Sequence, residues 1–138
     1  MAFSDDAQVI TGIAGSTFPA SALYKAVVFA TAGGAVKLVS STADTWADGV
    51  LYSITSTTSS TGSQAVAVAV GGVVKLQMAA STIAAGNYVA INASGLGAAP
   101  STDAYVFGRV IAGSSGSAGR IASVLINRAA LQAAPSSQ

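Results

Sequence analysis

Five aspartates are the only acidic side chains in this sequence, and they stand without a histidine, a cysteine or a glutamate. That inventory removes most metal sites and every nucleophile–base pair built on an imidazole or a thiolate. Asp5 and Asp6 are adjacent, so in an extended backbone their carboxylates point to opposite faces. Asp44 and Asp48 flank Trp46, an arrangement able to bracket a sugar or a cation, although Asp in such loops ordinarily caps turns. Asp103, close to Pro100, reads as a turn residue in the same way. Gly71-Gly72-Val73-Val74-Lys75 imitates a phosphate loop, but no helix follows to supply an N-terminal dipole. Asn92-Ala93-Ser94 matches a glycosylation acceptor, which requires a secretory route. Trp46 taken alone reads as a core or interface anchor. No constellation amounts to a catalytic signal: the chain is expected not to be an enzyme, and no cofactor or metal is expected.

The remaining composition explains what such a chain is suited to. Charged residues make up 8% of the 138 positions, against about 25% in a typical soluble domain. Mean hydropathy is +0.61, and Ala, Ser, Thr and Gly take the place of the missing charges. A net charge of +1 offers little repulsion against association. The chain therefore reads as a subunit that hides surface against copies of itself or a larger partner. The alternative is a secreted or surface β-domain with a Ser/Thr-rich exterior. Six basic residues (Lys25, Lys37, Lys75, Arg109, Arg120, Arg128) are scattered and lack interleaved aromatics, so no nucleic-acid partner is expected. The absence of cysteine excludes a disulfide framework. Met-Ala-Phe-Ser-Asp-Asp lacks the basic n-region of a secretory signal. No apolar run approaches the roughly 20 residues that span a bilayer as a helix. The expectation is a protein made in the cytoplasm, with no membrane partner.

One segment dominates the elements that must position these residues. From Gln64 to Met78 the chain alternates, with Val66, Val68, Val70, Gly72, Val74, Leu76 and Met78 on one face. A two-residue turn at Gly71-Gly72 would pair residue 70 with 73 and set Val66, Val68 and Val70 beside Lys75 and Gln77. The unbroken phase predicts instead one long strand that bends at the glycines. Gly33-Gly34 reads the other way, as a type I′ hairpin turn joining Tyr24–Thr31 to Val36–Ser41. That turn predicts Phe29 opposite Leu38 and Thr31 opposite Val36, with Val27, Phe29, Val36 and Leu38 on a shared buried face. Further strands are expected over 50–55, with Val50, Tyr52 and Ile54 on one side, and over 87–93. The next covers 104–112, with Tyr105, Phe107 and Ile111 opposed to Val106 and Val110, and the last covers 120–127. Residues 56–63 are a low-complexity Ser/Thr loop.

The sum is an all-β domain, a small β-barrel or sandwich of about seven strands with an extended N-terminal arm. Several strands are apolar on both faces, so the face away from the core must meet loops, another subunit or a host surface. Residues 1–22 read as the arm, 23–128 as the β-domain and 129–138 as a C-terminal tail. The arm carries Phe3, Val9, Ile10, Ile13 and Phe18 without regular periodicity. These five are the candidate contacts to a neighbouring subunit or a capsid shell.

The order of elements from Leu23 to Arg128 resembles tailed-bacteriophage capsid decoration (cement) proteins. The resemblance rests on the hairpin LYKAVVFATAGGAVKLVS, the strand DGVLYSI, the glycine-centred AVAVAVGGVVKLQM, IAAGNYVAI, YVFGRVIAG and the final GRIASVLIN. It is a pattern of strands and glycines rather than an active-site signature. The Ser/Thr-rich loop over 56–63 and the N-terminal arm depart from that pattern. The resemblance implies a β-barrel, usually trimeric, on the outside of an icosahedral head. There it would bind the major capsid protein and bridge capsomers against internal DNA pressure. A virion location would follow. The competing expectation is a receptor- or glycan-binding β-module that uses Trp46 with Asp44 and Asp48, or Tyr88 and Tyr105, as a platform.

Overall fold

The computed structural model describes residues 7–31, 33–40, 46–54, 64–79, 83–100, 105–113 and 118–131. Over these described residues the fold is all-β, a curled sheet of nine strands whose pairings between strands are all antiparallel. In chain order these are β1 (Ala7–Ile13), β2 (Ala26–Phe29), β3 (Val36–Leu38), β4 (Gly49–Ile54), β5 (Ala65–Gln77), β6 (Tyr88–Ile91), β7 (Gly97–Ala98), β8 (Tyr105–Ala112) and β9 (Ile121–Leu131). A 3-10 turn at Ala20–Ala22 interrupts the path from β1 to β2. Among the described residues no helix is long and apolar enough to cross a membrane.

The long alternating segment is one strand, as its phase predicts. β5 runs 13 residues without reversing, and Gly72 adopts φ +79° at the bend. Its partners change there. Residues 66–69 pair with β4 and 65–72 with β1, whereas 73–77 pair with β9. The core that it serves changes as well. Val66 and Val68 pack with Val27, Val36 and Leu51, while Val74, Leu76 and Met78 join Phe107, Val110 and Val124. Glycines suit a place where one strand must bend from one sheet surface to another.

Each half of the sheet curls until it bridges back onto itself. The first runs β3-β2-β4-β5-β1, and Ala14, just past β1, forms a parallel bridge to Val36 on β3. The second runs β5-β9-β8-β6-β7, and Gly97 on β7 bridges Met78, just past β5. Gly97 makes that closure possible, since a Cβ there would lie 2.7 Å from Met78 Sδ and 2.8 Å from Leu76 Cδ2. β2 and β4 serve both cores: Val27 and Leu51 face the first, Ala26, Val28 and Val50 the second. Their two-sided apolar pattern is therefore satisfied within the chain itself.

Several expectations change at this level. The boundary at residue 22 is not a boundary in the fold, because β1 pairs along β5 and Phe18 is 2% exposed in the first core. The backbone N–H of Phe18 donates to Oε1 of the buried Gln64 (2.9 Å), and that of Ala14 donates to the Gln64 carbonyl (2.9 Å). The Gln77 side-chain amide holds the next stretch, donating to the carbonyls of Ser21 (2.9 Å) and Leu23 (2.6 Å). Tyr24 sits at φ +67°, an uncommon conformation for a bulky residue. Its N–H donates to Leu51 and its carbonyl accepts from the Gln77 N–H, both at 2.8 Å, which fixes it from two strands.

The hairpin at Gly33-Gly34 forms with both glycines at positive φ, but in a register two residues away from the expected one. Val27 faces Leu38 and Phe29 faces Val36, because the turn is longer and closes on Ala30 and Ala35. A shift of two keeps every side chain on its face, so Val27 and Val36 are still buried together with Phe29 and Leu38 against them. In β4 a bulge at Tyr52 exposes that ring and turns Ile54 to the first core while Val50 faces the second. In β8, Phe107 has no partner on β6 and reaches the same core as Val110. The last strand continues to Leu131, so the tail boundary at 129 falls inside β9, where Ala129 pairs with Val106. The Ser/Thr-rich loop over 56–63 lies outside the described residues.

Candidate functional site

β1 is an edge strand with little of its side-chain surface covered. Val9 is 42% exposed, Ile10 43% and Ile13 52%. Val9 and Ile10 are sequence neighbours in a strand, so apolar surface shows on both faces. Among the described residues, β1 pairs along its length with β5 alone, and the bridge from Ala14 to Val36 starts past its end. Its seven residues, AQVITGI, carry no charge and no proline, the usual guards against strand addition. A shift of register between Gln8 and Val9 is the one irregularity in the ladder.

Of the five arm residues, the structure thus brings Val9, Ile10 and Ile13 together on an exposed strand and removes Phe18 to the core. Phe18 cannot contact a partner without unfolding that core, so its place among the contact residues is corrected. Phe3 lies outside the described residues.

A second feature gathers around Trp46. Its ring meets Tyr105 edge to face, with centroids 4.9 Å apart and planes at 72°. Both rings are exposed by more than a third. Beside them a shallow depression of about 360 Å³ is lined by Val28, Phe29 and Thr31 from the hairpin, and by Lys37, Trp46 and Asp48. The Asp48 carboxylate accepts the Phe29 N–H at 2.8 Å, and the Asp48 N–H donates to the Val27 carbonyl at 2.9 Å. Asp48 thus does act as a loop-fixing residue. Asp44 lies outside the described residues. Tyr88, the other platform residue considered, is on β6 next to β8 but pairs with Arg109, four residues along from Tyr105, and the Arg109 Cζ lies 5.3 Å from its ring centroid.

That Arg109–Tyr88 pair belongs to a cross-strand row that sequence reasoning missed. Val73, Leu125, Arg109 and Tyr88 lie side by side on β5, β9, β8 and β6. Leu125 and, two rows along, Ile121 are exposed. Lys75 approaches the Tyr24 ring at 5.9 Å on the same strand as Val73. The alternation Ile121, Ser123, Leu125 opposite buried Ala122 and Val124 was the available signal. Among the described residues no three His, Cys, Asp or Glu side chains group as metal ligands.

Among the described residues the surface presents exposed β-strand backbone, apolar side chains and a small polar-aromatic depression. No protein-family model matches the chain, and no curated protein matches it in sequence.

Proposed function

We propose that the protein is a structural component of a phage virion that binds the outer surface of the capsid. There it would assemble as a homotrimer, contact the major capsid protein and stabilise the head by bridging capsomers. The observation that carries this reading is β1, an uncharged edge strand that leaves Val9, Ile10 and Ile13 in water on both faces. An edge of this kind is an association site unless something covers it. Each of these three side chains is already about half covered, so completing its burial adds roughly half of the about 1.5–3 kcal/mol that full burial of an exposed aliphatic side chain provides. Stable interfaces bury at least about 1,200 Å² in total, which β1 alone does not supply. The exposed Leu125 and Ile121 add a second apolar area for contact with a neighbouring copy.

Mechanically, such a subunit resists expansion because separating two capsomers must first expose the surface it covers. No bond is made or broken, in keeping with a chain that lacks His, Cys and Glu.

The test is a double variant, Ile10→Ser with Ile13→Ser, mixed with purified heads of the phage that encodes the protein. Exposed positions tolerate substitution within about 0.5 kcal/mol, so the variant should melt as the parent does. Copies bound per head, counted by quantitative mass spectrometry, should fall at least tenfold, about 1.4 kcal/mol. Equal occupancy by the variant, or no binding by the parent protein, would overturn the proposal.

A further inference from the structure

We infer that the depression beside Trp46 is a binding site for a neutral pyranose sugar. Its volume of about 360 Å³ lies at the small end of ligand pockets, which span roughly 300–1,000 Å³. Three kinds of group line it, and a sugar ring is the ligand class that suits all three. The partly exposed indole of Trp46 lines the depression, and an indole attracts the weakly positive C–H bonds on the apolar side of a pyranose. The Asp48 carboxylate also lines it, and a carboxylate is an acceptor for ligand hydroxyls. Lys37 brings an ammonium donor from β3. Among the described lining residues one carboxylate and one ammonium balance, which favours a ligand without net charge. A ring with one apolar face and a hydroxylated rim meets both demands.

The site is also held in place before a ligand arrives. Tyr105 braces the indole at 4.9 Å, and the Phe29 N–H fixes the orientation of the Asp48 carboxylate. The Asp48 backbone is in turn bonded to Val27 in β2. Groups fixed by such contacts lose less freedom on binding than groups left loose. The depression does not include β1, so this inference stands or falls independently of capsid binding. A virion carrying such a site would hold glycan-bearing surfaces weakly at each copy and strongly through many copies together.

Trp46 is the only tryptophan in the chain, so intrinsic fluorescence reports on the site directly. The purified protein is titrated with the methyl pyranosides of glucose, galactose, mannose and N-acetylglucosamine. At least one should give a saturable change in emission at millimolar concentration. Asp48→Asn keeps an oxygen for the Phe29 amide, and Lys37→Met alters an exposed side chain, so both should remain folded. Each should weaken that sugar about tenfold. Absence of a saturable change with all four sugars would overturn the inference, as would unchanged affinity in both variants. Silent titrations together with an oligomer that dissociates on Trp46→Ala would assign the indole to a subunit contact instead.

Discussion

Phe18→Ala separates an arm from a core more sharply than any truncation. Phe18 is 2% exposed and is enclosed by a core that includes Ala14, Ala22, Val27, Val36, Leu51, Val66 and Val68. Removing the ring forfeits its transfer free energy and leaves a cavity that these small neighbours fill poorly, together about 3–5 kcal/mol. A domain of this length has a total stability of roughly 7–20 kcal/mol at the usual 0.05–0.15 per residue. The variant should therefore fold, but with a much reduced margin. The melting temperature should drop by roughly 9–20 °C, at about 3–4 °C per kcal/mol for a domain of this size. In urea, a slope of about 2 kcal/mol/M places the midpoint roughly 2 M lower. The bond to the Gln64 side chain is made by the backbone N–H of Phe18 and does not involve the ring, so the loss measures packing alone. Circular dichroism in heat and in urea gives both numbers. A fall of less than about 3 °C is what an exposed truncation costs, and would place residues 14–22 outside the core.

Two further substitutions probe how the first half of the sheet is held. Gln64→Leu leaves the buried Phe18 N–H without its acceptor and should cost about 1–3 kcal/mol in urea unfolding. Gly49→Ala places a Cβ 2.5 Å from the Ala69 carbonyl oxygen, where neither strand can yield easily. A loss of about 1–3 kcal/mol by the same assay is expected, as for other overpacked sites.

The sequence made the long strand legible because an alternation kept in phase across Gly71-Gly72 has only one simple reading. It also marked Gly33-Gly34 as a turn, since positive φ is a property of single residues. Register was not legible there. Turn length depends on whether Thr31 lies in the loop or in the strand, and composition at that position does not decide it. β1 escaped notice for a related reason. Alternation arises when a strand has one buried face, and β1 has none, so Val9 and Ile10 stand side by side without a period. The same absence hid the difference between Ile13 and Phe18, two apolar residues with opposite fates. The bulges at Tyr52 and Phe107 moved side chains between faces through local backbone geometry that the pattern of residue types does not encode. For the candidate sites, Trp46 with Asp48 was visible from spacing. Tyr105 and Lys37 joined them only through the folding of distant segments.

The strand shared by the two halves has a consequence for how the molecule comes apart. Each circuit is closed by a contact between residues far apart in sequence, Ala14 with Val36 and Met78 with Gly97, and both circuits need β5. Neither half can open completely without stripping partners from the same 13 residues. Partial unfolding of one half therefore weakens the other. Closing such non-local loops is slow, as in other β-folds dominated by long-range pairing. The expected result is a chain that assembles its sheet late and whose two halves open together.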